Sequence, residues 1–491
     1  MGFLSKGQTV TNTYLSDLGL LIYALLIVAV ALQVMLKRRP VGVTLTWLLL
    51  IFALPLVGII CYQLFGERYL GRLRAKRARL METKYKQSVH LFNRSPHVVK
   101  QSCSDVAEPL NQLTRRLLGL PILGGNQLTN FEDSLETLTQ LTTDIQQAKS
   151  SIYMEFYIVR QGGLLDPLLK ALAEAAQRKV SVYLLVDSVG SSEFLKSSAS
   201  SQLLDAGVNV VEALHANPVR MLLQRIDLRL HRKIAAIDQR IAYTGSMNLV
   251  DPRFFNQQRG VGQWIDLMLR VEGPAALNLQ AVVAYDIEME TGEALIEQLD
   301  LLSTTASVGQ QRMQIMPSGP GIFGDHIIQL LLTSLYLAKK QIVLTSPYFV
   351  PDESLQMALV TAASRGVEVN LILPARNDSF LVRYASHSFY QQLLNAGVNI
   401  YKFYGGLLHT KSLLIDQQVA LVGTVNLDMR SLWLNFEVTS IIDDKSYAED
   451  LDRIMQHYLQ QSTRINALAW RKRPIYRRLL ENIIHIFSPL L

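Results

Sequence analysis

The chain repeats itself, and that duplication does most to limit what it can fold into. SIYMEFYIV (Ser151–Val159) aligns with QIVLTSPYFV (Gln341–Val350), and VSVYLLVD (Val180–Asp187) with VEVNLILP (Val367–Pro374). LLDAGVNVVEAL (Leu203–Leu214) matches LLNAGVNIYKFY (Leu393–Tyr404) almost letter for letter. Between these strand-like runs lie helical stretches containing Ala175 and Ala176 in one copy and Ala362 and Ala363 in the other. Gly207 and Gly397 sit where a helix stops before a strand. Strands alternating with helices predict α/β units around a mostly parallel sheet. The offset between copies is 190 residues at Ser151 and Gln341 and falls to 178 at His231 and His409. The first copy carries the extra residues around HANPVRMLLQRIDL (His215–Leu228). Arg220, Arg225 and Arg229, in and beside it, make either a basic loop near lipid headgroups or the solvated face of a surface helix.

Each copy ends in the same constellation. His231-Arg-Lys233 is followed at fixed spacing by Asp238 and by Gly245-Ser246-Met-Asn248. His409-Thr-Lys411 is followed at the same spacing by Asp416 and by Gly423-Thr424-Val-Asn426. On a strand, residues two apart share a face, so each His and Lys point the same way. Imidazole is a nucleophile or proton carrier near neutral pH. Lysine and asparagine donate to phosphoryl oxygens. Two of each suit a phosphodiester passing through a charged five-coordinate state. Neither a metal nor another cofactor is needed for that chemistry, and the sequence has no Cys/His framework for zinc. A lone His on a strand is usually a satisfied core residue; a duplicated, equally spaced set is not explained that way.

The ends of the chain point to a membrane. Leu18–Leu36 and Val41–Phe65 are long apolar runs without a charge, each near the ~20 residues that span a bilayer. Only Lys37, Arg38, Arg39 and Pro40 separate them, which predicts a two-span hairpin with Pro55 as a tolerated kink. Arg68, Arg72, Arg74, Lys76, Arg77 and Arg79 follow, and the positive-inside rule then puts the large C-terminal part in the cytoplasm. At the other end, Arg471, Lys472, Arg473, Arg477 and Arg478 precede Leu479, Leu480, Ile483, Ile484 and Phe487 at helical spacing. That segment is either a basic amphipathic helix on anionic lipid or a terminal helix packed on the body. Cys61 lies in an apolar run, so no disulfide to Cys103 is expected. The net charge of +7 would suit nucleic acid, but the basic residues flank membrane segments and no aromatic stacking stripe accompanies them.

The paired motifs resemble the HKD motifs of the phospholipase D superfamily. With the N-terminal hairpin, YTGSMNLVDPRFF (Tyr243–Phe255) and HTKSLLIDQQVALVGTVNLDMRSLWLNFE (His409–Glu437), the chain is similar along its whole length to the bacterial cardiolipin synthases of that superfamily. The resemblance implies an α/β fold of two similar phospholipase D-type domains forming one pseudo-twofold active site, behind a transmembrane helical hairpin. It implies an anchor at 1–66, a basic juxtamembrane linker at 67–127, and domains at 128–305 and 306–491. It implies phosphatidyl transfer between two phosphatidylglycerol molecules through a phosphatidyl-histidine, without ATP. His231 would be the nucleophile and His409 the acid/base, starting in opposite protonation states. The motif residues His231, Lys233, Asp238, His409, Lys411 and Asp416 form the implied catalytic set. Asp238 and Asp416 fall at turns after apolar strands and read as architectural. Family members orient each histidine with an acid from the opposite half, which pairs Asp266 with His409 and Glu437 with His231. Ser246, Asn248, Thr424 and Asn426 are candidates to bind phosphate or orient the histidines, and Arg253 and Arg430 to fix loops through ion pairs. The implied partners are phosphatidylglycerol and anionic membrane lipids. A superfamily hydrolase acting on phospholipid or nucleic acid is the alternative, and a non-catalytic lipid scaffold a third reading.

Overall fold

The computed structural model describes residues 4–37, 41–66, 72–215, 227–301, 305–320 and 326–488. Arg38 to Pro40, Arg68, the insert's Arg220 to Arg225 and the final residues of the C-terminal segment lie outside the described residues. The chain divides into two units. One holds residues 1–72 with 216–227, and the other residues 73–215 with 228–491.

In the first unit a helix runs over Leu4–Leu36, and its Leu18–Leu36 part is long and apolar enough to cross a membrane. The second apolar run is not one helix. It forms Val41–Ala53 and Pro55–Cys61, then a π-helical turn over Tyr62–Gly66. Pro55 has no N–H to continue the ladder, and Leu54 before it leaves helical geometry at φ −134° and ψ 72°. Val30, Val34, Ile51 and Tyr62 form a small core here, and Trp47 meets Tyr62 edge-on at 5.3 Å. Leu21, Leu25, Leu32, Leu45, Leu49 and Phe52 are exposed around it.

The second unit is built on a 15-stranded sheet. Its first half contributes β1 (Leu123–Phe131), β2 (Ser151–Phe156), β3 (Ser181–Asp187), β4 (Asn209–Ala213), β5 (Lys233–Ile237), β6 (Ile241–Gly245) and β7 (Met268–Glu272). The second half contributes β8 (Gln311–Ser318), β9 (Gln341–Thr345), β10 (Glu368–Pro374), β11 (Asn399–Phe403), β12 (Ser412–Ile415), β13 (Val419–Gly423), β14 (Glu437–Ile442) and a short edge strand β15 (Ser462–Arg464). The spatial order is β1-β7-β6-β5-β2-β3-β4 in one half and β8-β14-β13-β12-β9-β10-β11 in the other, with β15 beyond β11. The halves therefore share one topology. β1 and β8 pair antiparallel and join them into one sheet.

The expectation of a mostly parallel sheet is corrected. Within the 15-stranded sheet, β2–β3–β4 and β9–β10–β11 are parallel and the other pairings are antiparallel. Parallel neighbours need a crossover, which the helices Asp166–Gln177 and Glu353–Ser364 provide. The motif strands β5 and β12 instead turn straight into β6 and β13 through three-residue loops, too short for a crossover. The crossover helices put Leu168, Leu172 and Ala175, or Leu355, Leu359 and Ala362, against the sheet, all fully buried. Gly207 and Gly397 adopt φ 94° and 95°, as a helix stop requires.

The 67–127 stretch contains two helices, Arg72–Phe92 and Ala107–Leu118, and β1 starts at Leu123, inside it. The first of them is tied to the body of the second unit. Lys84 pairs with Glu288 at 2.7 Å, Arg74 with Glu290 at 3.2 Å, and Arg77 donates to the Met289 carbonyl at 2.9 Å. Two of the six basic residues used for the positive-inside argument thus contact protein. At the C-terminus, helix Ile475–His485 buries Glu481 and Ile484 against helix Phe380–Asn395 and exposes Ile475, Tyr476, Leu479 and Ile483. The segment is packed and amphipathic at once. Cys61 and Cys103 are both free thiols.

Candidate active site

The two motifs lie in the second unit, at the end of the sheet where β2 and β9 finish. Phe156, last in β2, pairs with Lys233, and Thr345, last in β9, with Ser412. Each histidine comes just before its motif strand and is held by the opposite half. The His231 N–H donates to the Phe436 carbonyl at 2.9 Å, and the His409 N–H to the Ile265 carbonyl at 2.8 Å. Phe436 and Ile265 immediately precede the two acids. His231 Nδ1 lies 2.9 Å from both Glu437 carboxylate oxygens, and His409 Nδ1 lies 2.7 Å from Asp266 Oδ1. A carboxylate on Nδ1 fixes the proton there and leaves the Nε2 lone pair free.

The hydroxyls complete a matched pair of relays. Ser246 Oγ donates to Asp266 Oδ1 at 2.6 Å, and Thr424 Oγ1 to Glu437 Oε2 at 2.5 Å. Of the two roles expected for them, the structure gives Ser246 and Thr424 contact with the acids behind the histidines. Lys233 Nζ donates to the His231 carbonyl at 2.7 Å, and Lys411 Nζ to the His409 carbonyl. Asn248 Oδ1 accepts the Ile158 N–H at 3.2 Å, whereas Asn426 Oδ1 is buried with no hydrogen-bond partner among the described residues.

Asp238 and Asp416 stand at the far ends of β5 and β12. Five residues of strand at ~3.3 Å each put them roughly 16 Å along the chain from the motif lysines. There Asp238 accepts the N–H groups of Lys149, Ser150 and Ser151, and Asp416 those of Lys339, Lys340 and Gln341, all at 2.7–2.9 Å. Both residues have φ 52°, a left-handed geometry that Asp tolerates. This geometry supports the architectural reading, not contact with substrate. Arg253 grips Asp251 through Nε at 3.0 Å and Nη2 at 2.7 Å.

Burial dominates the electrostatics. It lowers His231 to about 4, helped by Lys233 and Lys411 and opposed by Glu437. It lowers His409 to about 3, helped by Lys411 and Lys233 and opposed by Asp266. Burial also lowers Lys233 to about 8, against the pull of Glu437 and Asp266, and takes Lys411 well below the usual lysine range. For Asp266, burial pushes upward, but His409, Lys411 and Ser246 outweigh it and leave the carboxyl below its ordinary value. Each lysine thus acts on the other half's histidine. Burial and the two lysines push both imidazoles toward the neutral form.

Several residues at the site were not anticipated. Tyr157 meets the His231 ring edge-on at 5.2 Å, and Trp264 packs on His409 at 4.3 Å. Arg232, between His231 and Lys233, is wholly buried; it pairs with Asp286 and donates through Nε to the Glu437 carbonyl at 2.9 Å. Trp264 was readable as the neighbour of Asp266. The Arg232–Asp286 pair joins positions distant in sequence and left no signal. Among the described residues, no group of three or more His, Cys, Asp or Glu is placed to hold a metal ion.

The comparisons with known proteins agree with this geometry. The family profile described as "Cardiolipin synthase, PLD-like domain" matches residues 141–266 and 331–459, one copy per half, and "Phospholipase_D-nuclease N-terminal" matches 19–67. Cardiolipin synthase A of Yersinia pseudotuberculosis serotype O:1b (strain IP 31758) is 47% identical over 487 residues, covering 99% of this chain and all of the relative. Cardiolipin synthase A of Yersinia pestis has the same identity and coverage. The crystal structure of phosphatidylserine synthase from Haemophilus influenzae Rd KW20 superposes with a TM-score of 0.58 at 16% identity, over 78% of this chain and all of that one, a likeness of fold. By its duplicated domain and its full-length similarity, the chain belongs to the cardiolipin synthase family of phospholipase D-like proteins.

Proposed function

We propose that this chain joins two phosphatidylglycerol molecules into cardiolipin and glycerol, through a phosphatidyl group held on His231. The observation that carries this reading is the pair of buried imidazoles, each locked at Nδ1 by an acid from the opposite half. His231 Nε2 attacks the phosphorus of the first lipid, and the bond to its headgroup glycerol breaks. His409, protonated at Nε2, gives that proton to the departing glycerol oxygen. The second phosphatidylglycerol enters, and His409 takes the proton from its terminal hydroxyl. The new oxygen attacks phosphorus, the P–N bond breaks, and His231 is restored. One ester replaces another, so no nucleotide is consumed. Lys233, Lys411, Asn248 and Asn426 supply donors for the non-bridging oxygens as charge builds. The anionic phosphodiester offsets the two lysines on entering, so His409 gains its proton together with substrate.

The organisation that goes with this reading is an anchor at 1–66, a connecting segment at 67–127, and catalytic halves at 128–305 and 306–491. The helices broken at Pro55 together serve as a second span after Leu18–Leu36, and the catalytic part faces the cytoplasm. Lys76 and Arg79, exposed on helix Arg72–Phe92, support that side. The basic, half-exposed C-terminal helix rests on anionic lipid.

The test supplies labelled phosphatidylglycerol in vesicles with a chelator present and measures cardiolipin and glycerol. Cardiolipin and glycerol in equal amounts are expected. Phosphatidate as the main product would mean hydrolysis, and loss of turnover with chelator would sink the metal-free route.

A further inference from the structure

The two halves share a topology, yet they differ in charge at one corner. In the second half, Arg383 and His387 on helix Phe380–Asn395 and Lys402 on β11 line a cleft with Pro374, Asn377 and Tyr390. The cleft lies where β10 and β11 end, at the carboxyl ends of parallel strands, the usual place for a ligand in such sheets. At the 190-residue offset, the first-half counterparts of Arg383, His387 and Lys402 are Glu193, Ser197 and Glu212. Two cations thus replace two acids. The first-half acids have partners: Glu193 pairs with Arg160 at 2.7 Å and Glu212 with His215 at 2.8 Å.

The second-half cations lack such partners. Lys402 turns its ammonium onto Tyr390, donating to the hydroxyl at 2.6 Å and lying 4.6 Å from the ring centre. Among the described residues, neither Lys402 nor Arg383 has a carboxylate within ion-pair distance. The nearby acid, Glu481 of the C-terminal helix, is taken by Arg473 at 2.8 Å and by His387 at 3.6 Å. Burial, then Arg383, brings Lys402 down to about 7. An enclosed ammonium without a counter-charge is costly, and an anion entering the cleft removes that cost.

We propose that this cleft is an anion subsite, distinct from the paired imidazoles, that takes the phosphodiester headgroup of a second anionic phospholipid. Arg383 supplies the planar fork, Lys402 the point charge and Asn377 a neutral lining. The lipid identity rests on the transfer reading above. His387 in the cleft lining pairs with Glu481 of the helix that exposes Ile475 and Leu479, so a neighbouring helix offers acyl chains an apolar surface.

The test uses the full-length protein in detergent, carrying His231→Ala to stop both turnover and adduct formation, with dihexanoyl phosphatidylglycerol below its micelle concentration as the probe. Equilibrium dialysis counts lipid bound per chain. Two equivalents are expected, and Arg383→Gln or Lys402→Met should weaken one of them about tenfold, the size of one charge-assisted contact. Arg383 is exposed on its helix, so its variant keeps the test valid if Lys402→Met fails to fold. Unchanged binding in a folded Arg383→Gln protein overturns the subsite. Displacement of that lipid by inorganic phosphate at equal affinity assigns the cleft to free phosphate and overturns the lipid claim. If native protein makes cardiolipin while binding ignores both substitutions, the subsite alone falls. If native protein makes none, the transfer reading falls and the binding count still judges the cleft.

Discussion

The half-sites around His231 and His409 use the same parts in different surroundings. Each has a histidine, an acid from the other half on Nδ1 and a hydroxyl behind the acid. His231 is met by both oxygens of Glu437 and by the edge of Tyr157. His409 is met by one oxygen of Asp266 and by the Trp264 ring, tilted 41° to it at 4.3 Å. Trp264 stands two residues before Asp266, where the other half has Asn435, whose amide donates to Glu437 at 3.3 Å. Behind His231 lies a buried Arg232–Asp286 pair, with Glu155 driven well above the carboxylate range by burial and then by Asp286. Behind His409 the equivalent space is filled by the neutral hydroxyls of Thr345, Thr410 and Ser412. The scaffold fixes geometry twice, and the second layer makes the two imidazoles unequal. Unequal imidazoles suit a nucleophile and a proton carrier better than two identical groups would.

The strongest way to break this comparison is to remove each ring. His231→Ala and His409→Ala should each lower cardiolipin formation by about 10³-fold or more, because neither half can replace the other's role. A denaturing quench at mildly alkaline pH, which preserves a P–N bond, with lipid labelled at phosphorus then separates the roles. A covalent lipid adduct should accumulate in His409→Ala and be absent in His231→Ala. The opposite result would exchange the assignments, and near-normal rates in both would remove the site.

A smaller loss is expected from the acids. Glu437→Gln and Asp266→Asn keep the shape but no longer hold the Nδ1 proton or stabilise an imidazolium, so turnover should fall roughly 10²–10⁴-fold. The comparison sharpens if the pH profiles differ. Removing Glu437 takes away the group that opposes burial at His231 and should cut the rate of adduct formation. Removing Asp266 weakens His409 both as acid and as base, and should slow adduct formation, which releases glycerol, and also transfer to the second lipid. The same pattern from both variants would mean the half-sites act as one unit.

Much of this was legible in sequence because duplication turns weak motifs into a repeated spacing. The strands and the crossover helices follow from residues that recur at fixed offsets, whereas the pairing of Asp266 with His409 and of Glu437 with His231 was implied by the family resemblance. The parallel sheet was misjudged because a motif strand that turns back in three residues looks, by composition, like any other apolar strand. The second apolar run was expected to bend at Pro55, and there the helix breaks, because Pro55 lacks the N–H that would continue the ladder. Arg232, Asp286 and Glu155 were illegible for another reason: Arg232 occupies the variable place in the motif, and its partners lie in β2 and in the helix Ala275–Thr291.

The depressed imidazoles give a test on stability. Unfolded, each ring takes up its proton near the ordinary value of 6.5; folded, His231 waits until about 4 and His409 until about 3. Between those limits the unfolded chain binds more protons, so stability should fall as pH drops from about 6.5 toward 4. His409→Gln should flatten that slope by close to one proton, as seen in denaturation midpoints across that range. An unchanged slope would mean the rings are protonated in the folded site.

The smallest effect on rate belongs to the two aspartates that complete the motifs. Asp238 and Asp416 close equivalent turns, each capping three N–H groups of the opposite loop, roughly a strand's length from the histidines. If the halves are alike anywhere, they are alike here. Asn in place of either keeps the left-handed backbone and one acceptor oxygen but loses the charge that strengthens the caps. Ala loses both and strains the turn. Stability should therefore rank Asp above Asn above Ala, with Ala costing about 1–3 kcal/mol at either position. Turnover per folded molecule should stay within about twofold, since the loss is to the frame and not to the groups that meet phosphorus. Thermal melts alongside rates normalised to folded protein would check this. A greater than tenfold loss of turnover in a variant that melts normally would bring these acids into the chemistry, and a loss at one turn only would extend the inequality of the halves to their frame.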